Sequence, residues 1–182
     1  MADELVKIIA KADFEYHLQI AANMDYDRMM EPHVLNAQLY DLRPVIGDAL
    51  YVDMVKNRAS APYDDLIAGG EYTYNGIDYF FQGIKKPLVH FAYARYCMRN
   101  GAQDTASGLR RKLDQQWSDP LPMQEATKEA EYHRQLAVAS LADCITYIKR
   151  NIEDFPLFTN TDDCSTMRSQ YSGAIRITPV SR

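Results

Sequence analysis

Hydrophobic and polar positions change period several times along this chain, and each change predicts an element. Over residues 71–83, EYTYNGIDYFFQG, strand-favouring Tyr72, Tyr74, Ile77, Tyr79 and Phe81 flank Asn75-Gly76. A type I′ turn needs positive φ at both central residues, which Asn-Gly accepts, so a β-hairpin is predicted there. The next stretch, IKKPLVHFAYARYCMRN, is apolar on most of a helical circumference. Ile84, Leu88, Phe91 and Arg95 share one side, while Val89, Tyr93, Tyr96 and Cys97 cover another. A helix apolar nearly all round is buried on most sides, so this one is predicted at the centre of the fold, closed by Asn100-Gly101.

Upstream, residues 3–22 suit a helix or a short strand. Asp27 is placed to cap a helix, with Pro32 near its start and Leu35, Leu39 and Leu42 as its stripe. Pro44 is predicted to end that helix and begin another, whose buried stripe is Ile46, Leu50 and Met54. A short helix follows Pro62 and stops at Gly69-Gly70. Downstream, Gln103–Asp119 reads as a long irregular connection with a short helix at Leu109–Gln116, the kind of segment that serves function or is held by a partner. A long helix spans Pro122 to about Asn151, with Leu136, Ser140, Ile145 and Ile148 inward. Glu125, Lys128, Glu129, Arg134 and Lys149 face water. After Phe155-Pro156 the pattern stops, and AIRITPV alternates like one strand without a partner. The expected fold is mainly α: a helical bundle around a central apolar helix over residues 1–156, with one inserted β-hairpin at 71–83. Residues 157–182 are expected to form an extended C-terminal arm.

With 182 residues the chain supports one domain that buries roughly 70% of its unfolded surface. A composition of 47% hydrophobic and 25% charged residues is that of an ordinary globular protein. No apolar run reaches the length of a membrane span, and the N-terminus lacks the basic and apolar regions of a signal peptide, so no membrane association is expected. Cys97, Cys144 and Cys164 are odd in number and widely spaced, which fits a reducing compartment. The net charge of −5 is unevenly spread. Residues 1–84 hold 6 basic and 14 acidic side chains, a balance of −8, whereas residues 85–112 hold 7 and 1, a balance of +6. Such a split suits subunits meeting acidic face on basic face.

Signals for chemistry are sparse. His17, His33, His90 and His133 form no HExxH arrangement, and no CxxC pair is present. Gly69-Gly70 lacks the Gly-Lys-Ser/Thr of a phosphate loop, and no Ser stands in a G-x-S-x-G elbow. Asp64-Asp65 and Asp162-Asp163 read as solvated loop acids rather than metal carboxylates. His90 precedes Cys97 on the same helix by seven residues, and both read as core. No enzymatic activity, cofactor or metal is expected. Thirteen tyrosines are many for this length, and tyrosine brings large contact area at low entropy cost, so interface use is expected beside core packing. Candidate interface residues are Tyr72, Tyr74, Asn75, Gly76 and Tyr79 on the hairpin, Arg110, Arg111, Lys112 and Trp117 in the connection, and Tyr171, Ile175 and Ile177 in the arm. The basic run at Arg110–Lys112, with Lys85-Lys86, has no interleaved aromatics and sits in an acidic protein, which disfavours a sequence-specific DNA reader.

The order of these motifs carries a resemblance. ANMDYDRMMEPHVLNAQLYDLRPVIGDALYVDMV, then LIAGGEYTYNG, then GIKKPLVHFAYARYCMRNG, resembles head–tail connector proteins of tailed bacteriophages, most closely those of Bacteroidales and crAss-like phages. TASGLRRKLDQQWSDP and the helix ending in YIKRNIEDFP are similar to that family too, so the likeness spans roughly residues 20–156. The resemblance implies a non-enzymatic virion protein: an adaptor subunit of a homo-oligomeric ring, usually dodecameric, at the head–tail junction, assembled in the host cytoplasm. Its implied partners are the portal protein, further neck or tail proteins, and double-stranded DNA passing through the lumen without sequence-specific binding. Genome packaging and ejection would both run through such a ring. The alternative readings are a non-viral cytosolic helical scaffold or regulatory subunit, and a nucleic-acid-associated protein working through residues 85–112.

Overall fold

The computed structural model describes residues 6–18, 20, 25–99, 102–105, 108–111 and 123–159. Two helices dominate: α7, Lys85–Arg99, and α8, Met123–Arg150, pack along each other, and α3, Glu31–Ala37, covers a second side of α7. Leu88, Val89 and Ala92 of α7 are wholly inaccessible to water, and His90, Phe91 and Ala94 are buried beside them. The apolar circumference predicted for this helix is thus used on both sides. Burying a side chain such as Leu88 contributes about 2 kcal/mol, and α7 collects several of them. The shorter helices α1, Lys11–His17, and α2, Tyr26–Met29, close the end near α3, with Phe14 wholly buried and edge-on to Tyr26.

Pro44 does not break the chain as the sequence predicts. From α3 the helix runs on through a π-helical turn, Gln38–Leu42, and α4, Arg43–Ile46, and ends at Gly47 with φ +88°. The amide of Arg43 donates to the carbonyl of Gln38, five residues back, and this wider turn accommodates the proline ring that an ordinary α turn would clash with. The stripe of this helix is also rotated from the expected one. Leu42 is buried as expected, but Leu35 and Leu39 are only half-buried, and Val34 and Ala37 take the inward line in their place. Ile46, Leu50 and Met54 are buried as predicted, the last two on α5, Asp48–Lys56.

Gln38, on the first position of the π turn, is fully buried and acts as a polar hub. Its Oε1 accepts from the Ile8 amide at 2.8 Å, and its Nε2 donates to the Val6 carbonyl at 3.1 Å and to the Tyr51 hydroxyl at 3.2 Å. One side chain therefore ties the N-terminal segment to α5.

Along α8 the inward stripe is Ala130, His133, Ala137, Leu141, Cys144 and Ile148. The predicted Leu136, Ser140 and Ile145 are half-buried, one position off that line, while Ile148 is correctly placed. Alanine at 130 and 137 lets α7 approach closely, so packing overrides the larger side chains in choosing the face. Phe155 and Phe158 fold back into the core, which carries the packed body beyond the boundary expected at 156. Two antiparallel hairpins complete the described residues: β1, Gly70–Tyr74, with β2, Ile77–Phe81, and β3, Ala102–Thr105, with β4, Gly108–Arg111. The first is the predicted one. The second replaces the irregular path expected from Gln103 and places Leu109, Arg110 and Arg111 on a strand rather than a helix, pairing having outweighed the helix propensity of that run.

Between α7 and α8, two imidazoles lie stacked with Nδ1 of His90 2.9 Å from Nδ1 of His133. Nε2 of His133 stands 3.2 Å from the Glu129 carboxylate, which only accepts. His133 therefore carries its proton on Nε2 and accepts the N–H of His90 on Nδ1. Burial, then the neighbouring His133, Lys86 and His17, hold the His90 pKa down at about 4, and burial also lowers His33 and His17. The folded chain prefers His90, His33 and His17 neutral, so their contribution is complete above 6.5 and is lost as pH falls below it, for His90 between 6.5 and about 4, where the unfolded chain takes up protons that the folded one refuses. We expect the melting temperature to fall across that window and His90→Gln to flatten the slope. A profile that His90→Gln leaves unchanged contradicts this.

Candidate interaction surface

The predicted Asn75-Gly76 turn forms with φ of +52° and +74°, and register pairs Tyr72 with Tyr79 and Gly70 with Phe81. Alternation then sorts the hairpin into two faces. Tyr72, Tyr79 and Phe81 turn toward the body, where Phe81 stacks on Tyr147 of α8 at 4.1 Å between centroids and Tyr72 meets the same ring edge-on at 4.9 Å. Tyr147 in turn touches Phe155, which touches Tyr63 of α6, Tyr63–Ala68, so rings run unbroken from the hairpin into the core.

Arg150, the last residue of α8, fastens this mount. Its Nη1 donates to the Tyr72 hydroxyl at 2.7 Å, and its guanidinium lies over the rings of Tyr79 at 3.9 Å and Tyr74 at 5.2 Å. A half-buried guanidinium on aromatic faces gains about 1–2 kcal/mol per good contact. The hairpin is held rigidly.

Its other face is open. Glu71, Thr73, Asp78 and Phe80 are all exposed, Phe80 at 67% of its surface. At the tip, Ile77 is 57% exposed beside Tyr74, Asn75 and Gly76. Of the candidate interface residues, Tyr72 and Tyr79 thus serve mainly as internal mounts, while Tyr74, Asn75 and Gly76 stand in solvent. Phe80 was not singled out from the sequence, although strand alternation about Tyr79 and Phe81 was sufficient to place it outward. Arg110 and Arg111 fall on β4, and Lys112, Trp117, Tyr171, Ile175 and Ile177 lie outside the described residues, as does the C-terminal arm from 160 onward.

The charge split is partly consumed within the chain. Lys85 pairs with Asp13 at 2.9 Å, and Arg95 grips Asp41 through two bonds of 2.8 and 2.9 Å. Both join the basic segment to the acidic one inside a single molecule. Lys86 bonds to Gln82.

Among the described residues no group of three or more His, Cys, Asp or Glu is placed to hold a metal ion, and no helix is long and apolar enough to cross a membrane. The Cys144 thiol is buried and its pKa is pushed up to about 12, and burial raises Cys97 to about 11, which makes both poor nucleophiles.

The molecule is therefore a mainly helical body presenting a fastened β-hairpin. It belongs to a family of unknown function, DUF6712, which matches residues 42–168 and so takes in the hairpin, α7 and α8. Neither a curated protein nor a solved structure matches the chain.

Proposed function

We propose that this chain is a structural subunit of a bacteriophage head–tail connector: a ring that docks under the portal, prolongs the DNA channel and joins capsid to tail. The reading starts from the resemblance of residues 20–156 to that class. The observation that carries it is the hairpin, rigidly mounted by Arg150 and the tyrosines yet presenting Phe80, Ile77 and two carboxylates to solvent. A ring subunit needs a stiff body and a surface complementary to a different surface on the next copy, since closed rings are built from heterologous contacts. Its partners in this reading are further copies of itself, the portal protein, and the next neck or tail component, with double-stranded DNA passing through unread.

The test is negative-stain imaging of the protein alone and mixed with the portal protein encoded in the same genome. Rings, or a collar added to the portal, are the expected result. A protein that neither self-associates nor joins the portal at high concentration overturns the proposal.

A further inference from the structure

At the end of the body remote from the hairpin, α3, α7 and α8 leave a groove of about 520 Å³. Phe91, Ala94 and Ala130 give it an apolar floor, and Met98, 55% exposed, forms part of its wall. Arg95 also lines it but is committed to Asp41. At the rim stand Arg99 and Arg134, both exposed, and no ion pair engages either among the described residues. Glu131 also lines the groove and accepts from the Gln135 amide, and His33, Asn36, Asp41 and Thr127 complete its polar walls. The groove is thus a mostly polar slot with a small apolar floor, and at its rim stand two guanidiniums that no ion pair engages among the described residues.

The hairpin's outer face is its complement. Phe80 lies directly across from Glu71, and Asp78 lies across from Thr73, so one exposed aromatic ring is accompanied by two exposed carboxylates and no basic residue. Phe80 matches the apolar floor, and Glu71 and Asp78 match Arg99 and Arg134. The two surfaces cannot meet within one molecule. The hairpin is anchored on α8 at Tyr147 and Arg150, while the groove involves Arg134 and residues before it, roughly 20 Å away along that helix.

We infer that the occupant of the groove is the hairpin of a second copy of this chain, seated head to tail with Phe80 as its anchor. The inference rests on the ring reading and supplies its contact. Because donor and acceptor lie at opposite ends of the body, each copy has one of each, and the arrangement propagates until it closes. An aromatic anchor on an apolar floor, with charges of opposite sign at its edge, supplies both affinity and orientation.

A charge exchange tests it. Glu71→Lys with Asp78→Lys alters only the donor, and Arg99→Glu with Arg134→Glu alters only the acceptor. All four positions are exposed, so circular dichroism spectra should match the parent's. Each double variant is expected to weaken self-association, alone or on the portal, by about a hundredfold, read by sedimentation velocity and imaging. The chain carrying all four substitutions is expected to regain assembly, which a general disruption of the surface would not allow. Double variants that assemble like the parent, or a fourfold variant that does not recover, overturn the hairpin–groove contact and leave the ring itself standing. A parent chain that assembles in no setting removes the ring and this contact together. If Arg99→Glu with Arg134→Glu lowers thermal stability and leaves assembly intact, the groove holds a segment of its own chain. If that variant instead abolishes salt-sensitive retention of DNA while assembly persists, the arginines serve phosphate. Either outcome overturns the inference.

Discussion

Replacing Gly83 by alanine is expected to destabilise the fold by about 3–4 kcal/mol, among the largest effects of any single substitution outside the core. Gly83 has φ +67°, which costs an L side chain about 1 kcal/mol. The greater part is steric. A Cβ there would stand 2.5 Å from the Ile67 carbonyl oxygen and from the Gly69 amide nitrogen. Reciprocally, a Cβ on Gly69, at φ +82°, would stand 2.5 Å from the Gln82 carbonyl carbon and the Gly83 amide nitrogen. The end of α6 and the exit of the hairpin cross backbone on backbone, and the Ile84 amide donates to the Leu66 carbonyl at 3.0 Å beside that crossing. No rotamer change can relieve a clash with backbone. Gly76 is the control: its φ of +74° imposes the same conformational cost, but nothing lies within 4 Å of its would-be Cβ. Urea denaturation should therefore show a large shift of midpoint for Gly69→Ala and Gly83→Ala and about 1 kcal/mol for Gly76→Ala. Equal effects at Gly76 and Gly83 would show that the close crossing does not matter.

The second large effect is expected at Gln38. Gln38→Leu keeps the volume and removes the hub, leaving the Ile8 amide and Val6 carbonyl without their partner and the Tyr51 hydroxyl with one fewer. Buried groups orphaned in this way cost about 1–3 kcal/mol each, moderated here because residues 6–8 can detach and reach water. We expect a loss of about 2–3 kcal/mol and, more tellingly, fast hydrogen exchange at Ile8 and its neighbours with α7 still protected. Slow exchange at Ile8 in the variant would show that Ile8 and Ile9, both buried, hold the segment by apolar contact alone.

How much of this was legible beforehand differs from element to element. The Asn75-Gly76 hairpin, the central α7, the Ile46–Leu50–Met54 stripe and the stop at Gly69 could all be read directly, because each depends on residues near in sequence. Pro44 misled, since its clash is relieved by a turn one residue wider that no local pattern marks. The α8 face was displaced by one position because close approach to α7 favours Ala130 and Ala137 over Leu136, a preference that exists only once the partner helix is in place. At the candidate interface, tyrosine content pointed to the hairpin but not to its faces. Tyr72 and Tyr79 are claimed by Arg150 and Tyr147, and the exposed role passes to Phe80.

The sequence by itself determined the mainly helical class, the position of the hairpin and the choice of the central helix, because periodicity, turn chemistry and glycine stops act over a few residues. Only the tertiary structure decided which charges pair within the chain, which aromatic faces water, and that Gly69 and Gly83 touch. Those outcomes depend on groups 14 to 72 residues apart along the chain being brought together, as Lys85 is to Asp13. Proximity of that kind is set by the packing of α7 on α8 and α3, not by any local run of residues.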